Sequence, residues 1–148
     1  MHLDLDKIKE ELKLLPSFYD QICLQGCGDS LDPFFGCGVP SGLEPYEEPD
    51  FIYPNFDLPY INSIMKTLNM YRTRVLVLKP KVCYTIHYDL SKRIHIPVIT
   101  NENCWIIVNK EVKHLPADGN YYEIDTTQEH TALNGSWEDR IHIVGCVS

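Results

Sequence analysis

From Tyr71 onward the hydrophobic pattern of this chain has a period of two, interrupted every few residues by a turn. No other feature constrains the fold as much. Alternation sends successive side chains to opposite faces of a strand, and short connections make neighbouring strands pair antiparallel. Strands are expected near 72–79, 82–88, 92–100, 103–108, 111–115, 120–125, 129–133 and 138–147, with connections such as "KP", "ADG" and "NGS". Eight short strands after a helical lead-in imply a mainly β fold, a small barrel or jelly roll with helices packed outside.

The first half reads differently. Leu5, Ile8, Leu12 and Leu15 recur at helical spacing, Asp4 or Asp6 can cap the start, and Pro16 stops the run. A second helix fits Asp57 to Leu68, with Asp57 as cap, Pro59 in the first turn and Ile61, Ile64, Met65 and Leu68 on one face. Between them, residues 26–59 carry six of the ten prolines and read as a long loop. Its segment 38–57 is either a lid placing Tyr46, Phe51, Tyr53 and Phe56 over a substrate or a solvated loop with a few anchoring aromatics. At 148 residues the chain is expected to form one domain, residues 1–70 packing on a barrel formed by 71–148.

Bulk properties exclude some functions. A formal net charge of −8 with scattered lysines argues against a nucleic-acid surface. No apolar run is long enough for a membrane span, and the charged opening "MHLDLDKIKEELKLL" is no signal peptide. A cytoplasmic location with reduced cysteines is therefore expected, and Asn134-Gly135-Ser136 carries little weight as a glycosylation sequon. Cys23, Cys27 and Cys37 match no standard zinc spacing and read as structural thiols.

The stretch "IHYDLSKRIHIPVIT" breaks the ordinary strand pattern. Arg93, His95 and Pro97 alternate with Ile94, Ile96 and Val98, and in the last strand Arg140, His142 and Val144 oppose Ile141 and Ile143. Ionisable groups on an inner face cost free energy unless something pairs with them. His87-x-Asp89 at a strand end, with His130 from a later strand, offers two imidazoles and one carboxylate, the facial triad of non-haem Fe(II) oxygenases. Arg140, ten residues past His130, can hold a carboxylate in a two-pronged contact. The bland alternatives are a surface turn for His-x-Asp, an ion-pair network with Asp89 or Glu129 for Arg93 and His95, and a satisfied interior histidine for His142.

The segments "HYDLSKRIHIPVITN", "GNYYEIDTTQEHTALNGS" and "DRIHIVGC" resemble the aspartyl/asparaginyl β-hydroxylase family of 2-oxoglutarate- and Fe(II)-dependent oxygenases, which includes cis-proline-hydroxylase-like members. The resemblance spans roughly residues 72–147 and implies a double-stranded β-helix, the jelly-roll or cupin-like barrel. It implies iron on His87, Asp89 and His130, the distal 2-oxoglutarate carboxylate on Arg140, and Arg93 with His95 near the chelating carboxylate. Two departures stand out: animal members have glycine where this chain has Asp89, and a serine where it has Leu76. Tyr84, Thr85 or His142 could replace that serine.

The expectation is a dioxygenase that uses Fe(II), 2-oxoglutarate and O2, with ascorbate as a reductant, to hydroxylate an amino acid or a peptide or protein side chain. Two rivals belong to other classes: a non-catalytic module binding metal or 2-oxoglutarate, and a cupin metalloenzyme that does not use 2-oxoglutarate. The sequence leaves the substrate and the oligomeric state open.

Overall fold

The computed structural model describes all residues, Met1–Ser148. Two short helices precede and back the sheets. Helix α1 (Leu5–Leu12) starts at Asp4, whose side chain accepts from the amides of Asp6 (3.1 Å) and Lys7 (3.2 Å). Helix α2 (Pro59–Thr67) has Leu58, not Asp57, at its cap, so the expected carboxylate cap is absent. A neighbour supplies it instead: Glu11 of α1 accepts from the amides of Tyr60 (2.9 Å) and Ile61 (2.8 Å). Glu11 satisfies amide donors that a helix start leaves open and locks the two helices together.

Three short strands lie in the first half, β1 (Gln21–Cys23), β2 (Gln25–Gly26) and β3 (Tyr53–Pro54), where none was expected. They are too short to show a period. Eight follow: β4 (Tyr71–Leu78), β5 (Val82–Cys83), β6 (Lys92–Ile99), β7 (Cys104–Val108), β8 (Glu111–Lys113), β9 (Tyr122–Ile124), β10 (His130–Asn134) and β11 (Arg140–Val147). They form a five-stranded sheet in the order β1-β4-β11-β6-β9 and a four-stranded sheet in the order β5-β10-β7-β8, all pairs antiparallel. This alternation of strands between two sheets is the expected double-stranded β-helix.

The strand expected at 82–88 is reduced to two residues plus an isolated bridge between His87 and His130. Side chains cause the interruption. The Thr131 hydroxyl donates to the Tyr84 carbonyl (2.5 Å) and the His87 ring engages the Thr85 carbonyl (2.7 Å), so neither carbonyl serves the ladder. The chain swings out there and returns with His87 against β10.

The five-stranded sheet has two unlike faces. Val75, Ile94, Ile96, Val98 and Ile143 face outward and are buried together with Ile8, Ile61, Ile64 and Met65 of the helices. The stripe foreseen for α1 is seated there, with Leu5, Leu12 and Leu15 partly buried against the same cluster. The opposite residues, among them Arg74, Leu76, Arg93, His95, Arg140 and Val144, face the second sheet and line the cavity between them.

The aromatics of segment 38–57 do not cover that cavity. Phe51 is fully buried with Cys27 and Leu43, Tyr46 packs on it, Phe56 joins the main core, and Tyr53 is exposed. They anchor the loop, and Gly38 to Ser41 form the rim instead.

Candidate active site

A cavity of about 690 Å³ opens between the sheets, within the range of pockets that enclose a whole small molecule. At one side β10 and the His87 bridge bring His87, Asp89 and His130 together, each with a ligand atom within 4.8 Å of the others. Asp89 lies 3.2 Å from His130 Nε2 through one oxygen and 3.7 Å from His87 Nε2 through the other. No other trio of His, Cys, Asp or Glu in the chain converges in this way.

Both rings are oriented from behind. His87 Nδ1 lies 2.7 Å from the Thr85 carbonyl and His130 Nδ1 2.9 Å from the Gln128 carbonyl. A carbonyl can only accept, so each Nδ1 carries a proton and each Nε2 is turned toward Asp89, where His130 Nε2 donates to the carboxylate and where either Nε2, once deprotonated, could offer a lone pair to a metal. This is the outer-shell arrangement that prepares imidazoles for a metal. Burial alone would raise the Asp89 pKa, but His130 and then Arg93 hold it below the usual carboxylate value. His130 is shifted up, the penalty of burial being outweighed by its hydrogen bond to Asp89.

Arg93 is buried beside Asp89, and its donors are engaged: Nη2 on Glu48 (3.0 Å), Nη1 on the Ser91 hydroxyl, Nε 3.6 Å from Asp89. Glu48, arriving on the long loop, also takes Arg72 Nη1 at 2.6 Å. Desolvation pushes the Glu48 pKa up, and Arg93 with Arg72 pulls it below its ordinary value. The partner of Arg93 beyond Asp89 is thus Glu48 rather than Glu129, which instead lies 3.3 Å from the Tyr88 hydroxyl.

Arg140 is the opposite case. It is 2 % exposed, its Nε has no partner, and no carboxylate pairs with it; burial pulls its pKa down to about 10. A buried guanidinium without an anion is costly, and such a group implies a ligand that supplies one. Leu76, where the family serine would stand, faces the same cavity opposite His142 and offers no hydroxyl. Tyr84 lines the wall too.

His95 and His142 meet at 3.1 Å through their Nδ1 atoms, so one must donate to the other. His142 Nε2 is buried with no partner. An unpaired N–H there would cost more than an unpaired lone pair, so His142 carries its proton on Nδ1 and donates. His95 then holds its proton on Nε2 and lines the cavity as a neutral donor. Burial and the nearby Arg140 depress both pKa values, that of His95 to about 3.

The pattern of residues left two participants unnoticed, Glu48 and Arg74. Arg74 sits on the inner face of β4, 7 % exposed, donating from Nη1 to Gln21 (3.2 Å) with its Nε unpaired. The alternation of Arg72 and Arg74 in "YRTRVLVLK" was the available signal. Nothing in "YEEPD" marks Glu48 as buried. The three early cysteines form no metal site: Cys23 and Cys37 are 3.6 Å apart, and Cys27 lies in a separate cluster.

The family model for aspartyl/asparaginyl beta-hydroxylase matches residues 56–147. The chain belongs to that family. A hydroxylase-type activity and a metal site at the His-Asp-His trio accord with this membership. No curated protein matches the β-hydroxylase-family chain. Among solved structures it is similar to a protein from Photorhabdus luminescens (18 % identity, TM-score 0.44, over 51 % of this chain and 61 % of that one). A cupin domain from Bordetella pertussis (14 %, 0.44, 52 % and 80 %) and a predicted oxalate decarboxylase from Thermotoga maritima (14 %, 0.45, 57 % and 71 %) are similar to a like degree. This chain thus spans about three fifths of the first of these proteins.

Proposed function

We propose that this β-hydroxylase-family protein is an Fe(II)- and 2-oxoglutarate-dependent dioxygenase that hydroxylates an amino acid or an Asp- or Asn-type side chain. The observation that carries the reading is Arg140: a buried, unpaired guanidinium lining the same cavity as the His87–Asp89–His130 trio. A co-substrate with a carboxylate at each end would satisfy both.

The donor set fits a first-row divalent metal: two imidazole lone pairs held in place by backbone carbonyls, and one carboxylate kept ionised. When bound, Fe(II) would supply the activation of O2, with ascorbate keeping it reduced. The overall reaction would convert substrate C–H, 2-oxoglutarate and O2 into substrate C–OH, succinate and CO2. Arg140 would hold the distal carboxylate of 2-oxoglutarate, taking the place of the missing serine contact together with Tyr84. His95 would donate from Nε2 to the other carboxylate. Arg93, fixed by Glu48, would hold Asp89 in position and border the co-substrate. The two-sheet wall and its apolar lining would exclude water.

The six cysteines stand as free thiols, which suits the reducing, cytoplasmic setting expected from the sequence. No helix is long and apolar enough to cross a membrane.

The test is calorimetric and chemical. Protein loaded with Mn(II), a redox-quiet stand-in, should bind 2-oxoglutarate, and Fe(II)-loaded protein should release succinate. In Asp89→Ala, metal affinity should fall by more than the roughly 10–100-fold that losing an outer-shell partner costs. Wild-type protein that holds the metal but does not bind 2-oxoglutarate would refute the proposal. Binding with no succinate across a panel of amino acids and acidic peptides would favour the non-catalytic module.

A further inference from the structure

Four guanidiniums line the cavity, those of Arg72, Arg74, Arg93 and Arg140, against one lining carboxylate, Asp89. Glu48, behind the wall, is shared by Arg72 and Arg93. Two positive charges therefore remain, on Arg74 and Arg140, in a protein whose formal net charge is −8. A divalent metal would add two more. Dianionic 2-oxoglutarate on the metal and Arg140 supplies only two negative charges, so the co-substrate cannot neutralise everything that faces it.

Arg74 is the group left over. It is more than nine-tenths buried, its Nε–H has no acceptor, and its one side-chain hydrogen bond goes to the neutral oxygen of Gln21. Burial and then the neighbouring Arg72 depress its pKa, as befits a cation without its counterion. That same Gln21 oxygen accepts the Gly38 amide at 3.1 Å, tying Arg74 to the rim segment Gly38–Ser41. Within that rim Val39 and Pro40 line the cavity, so an apolar portion could follow a charged one inward.

Resting on the dioxygenase reading, we infer that Arg74 is a second anion site in this cavity, which binds a carboxylate of the substrate to be hydroxylated. A guanidinium with a free edge suits a planar carboxylate and discriminates against the neutral amide, which leaves the buried charge uncompensated. The carboxylate could belong to a free amino acid or to an acidic side chain of a polypeptide. Arg74 would thus be a specificity determinant, distinct from the co-substrate contact at Arg140.

The probe is acetate, titrated into protein labelled with 15N-arginine and loaded with Zn2+ and 2-oxoglutarate. The Arg74 Nε–H resonance, assigned by its loss in Arg74→Gln, should shift saturably with acetate and stay still with acetamide. Acetate affinity should fall at least tenfold in Arg74→Gln. Since the acetate–acetamide contrast is read on wild-type protein, it stands even if the variant folds poorly. Displacement of acetate by a free amino acid, or by an acidic peptide with blocked ends, identifies the source of the carboxylate. The inference is overturned by an unmoved Arg74 resonance, by an equal response to acetamide, or by displacement with neither competitor. A 2-oxoglutarate titration that leaves the Arg140 Nε–H unmoved would instead defeat the dioxygenase reading, whatever happens at Arg74.

Discussion

Two groups of arginines share the cavity wall and differ in how their charge is met. Around Glu48, all three guanidinium nitrogens of Arg72 donate: Nη1 to the carboxylate, Nε to the Gly36 carbonyl at 2.9 Å and Nη2 to the Gly38 carbonyl at 2.7 Å. This full set of bonds holds Arg72 at a φ of 46°, a left-handed conformation that costs a non-glycine residue energy. Arg93 shares the same acid. At the Arg140 end, a guanidinium buried to the same degree has an unpaired Nε and no acid, and Arg74 resembles it. The first group is structural, since its charges are compensated within the fold. The second carries a standing penalty, which a fold retains where a ligand relieves it.

The contrast can be broken most forcefully at Glu48. Replacing it, Glu48→Gln, leaves Arg72 without a carboxylate and Arg93 with only Asp89 at 3.6 Å, and should cost about 3–5 kcal/mol in chemical denaturation, the usual penalty for breaking a buried pair. A loss below about 1 kcal/mol would mean that Arg72 and Arg93 find other partners, and the distinction between the two groups would fail.

Arg140→Met should have the reverse effect on the ligand-free protein. Removing an uncompensated cation should leave stability unchanged or raise it by about 1 kcal/mol. Binding of 2-oxoglutarate to the Mn(II)-loaded variant should weaken by about 2 kcal/mol or more, roughly thirtyfold, because a charge-assisted contact is lost. A variant that is both less stable and unimpaired in binding would make Arg140 a structural residue like Arg72.

The smallest effect concerns pH. His95 and His142 are neutral in the fold, with pKa values depressed by burial and by Arg140. Unfolded, each would take up a proton near pH 6.5. The unfolded state then binds more protons, so stability should decline as pH falls from about 6.5 toward 3, by up to ~1.4 kcal/mol per pH unit for each histidine. The raised pKa of His130 acts outside this window: its contribution is complete below about pH 6.5 and is lost as pH rises above it. His142→Gln should flatten the acid limb of a stability–pH curve by about one proton. An unchanged slope would show that His142 is already charged in the fold.

Much of the barrel could be read from the alternation alone, because eight strands with short connections have few ways to close. Each expected strand from Tyr71 onward overlaps one that forms; those at 111–115 and 120–125 shrink to three residues each, and 82–88 is cut shortest, where Thr131 and His87 take the carbonyls a ladder would use. The meeting of His87, Asp89 and His130 was legible because His-x-Asp places both groups at one strand end, and the topology returns β10 to it. The cap of α2 was misassigned because its partner, Glu11, comes from another helix.

The sequence by itself determined which side chains share a face and which residue types could hold a metal and a carboxylate, since both follow from local periodicity and chemistry. Only the tertiary structure decided which buried cations are compensated. Glu48 reaches Arg72 across 24 positions and Arg93 across 45, while no acid reaches Arg140. Charge compensation depends on distance in space, and a loop as irregular as 26–59 gives no periodic signal of where its acids will come to rest.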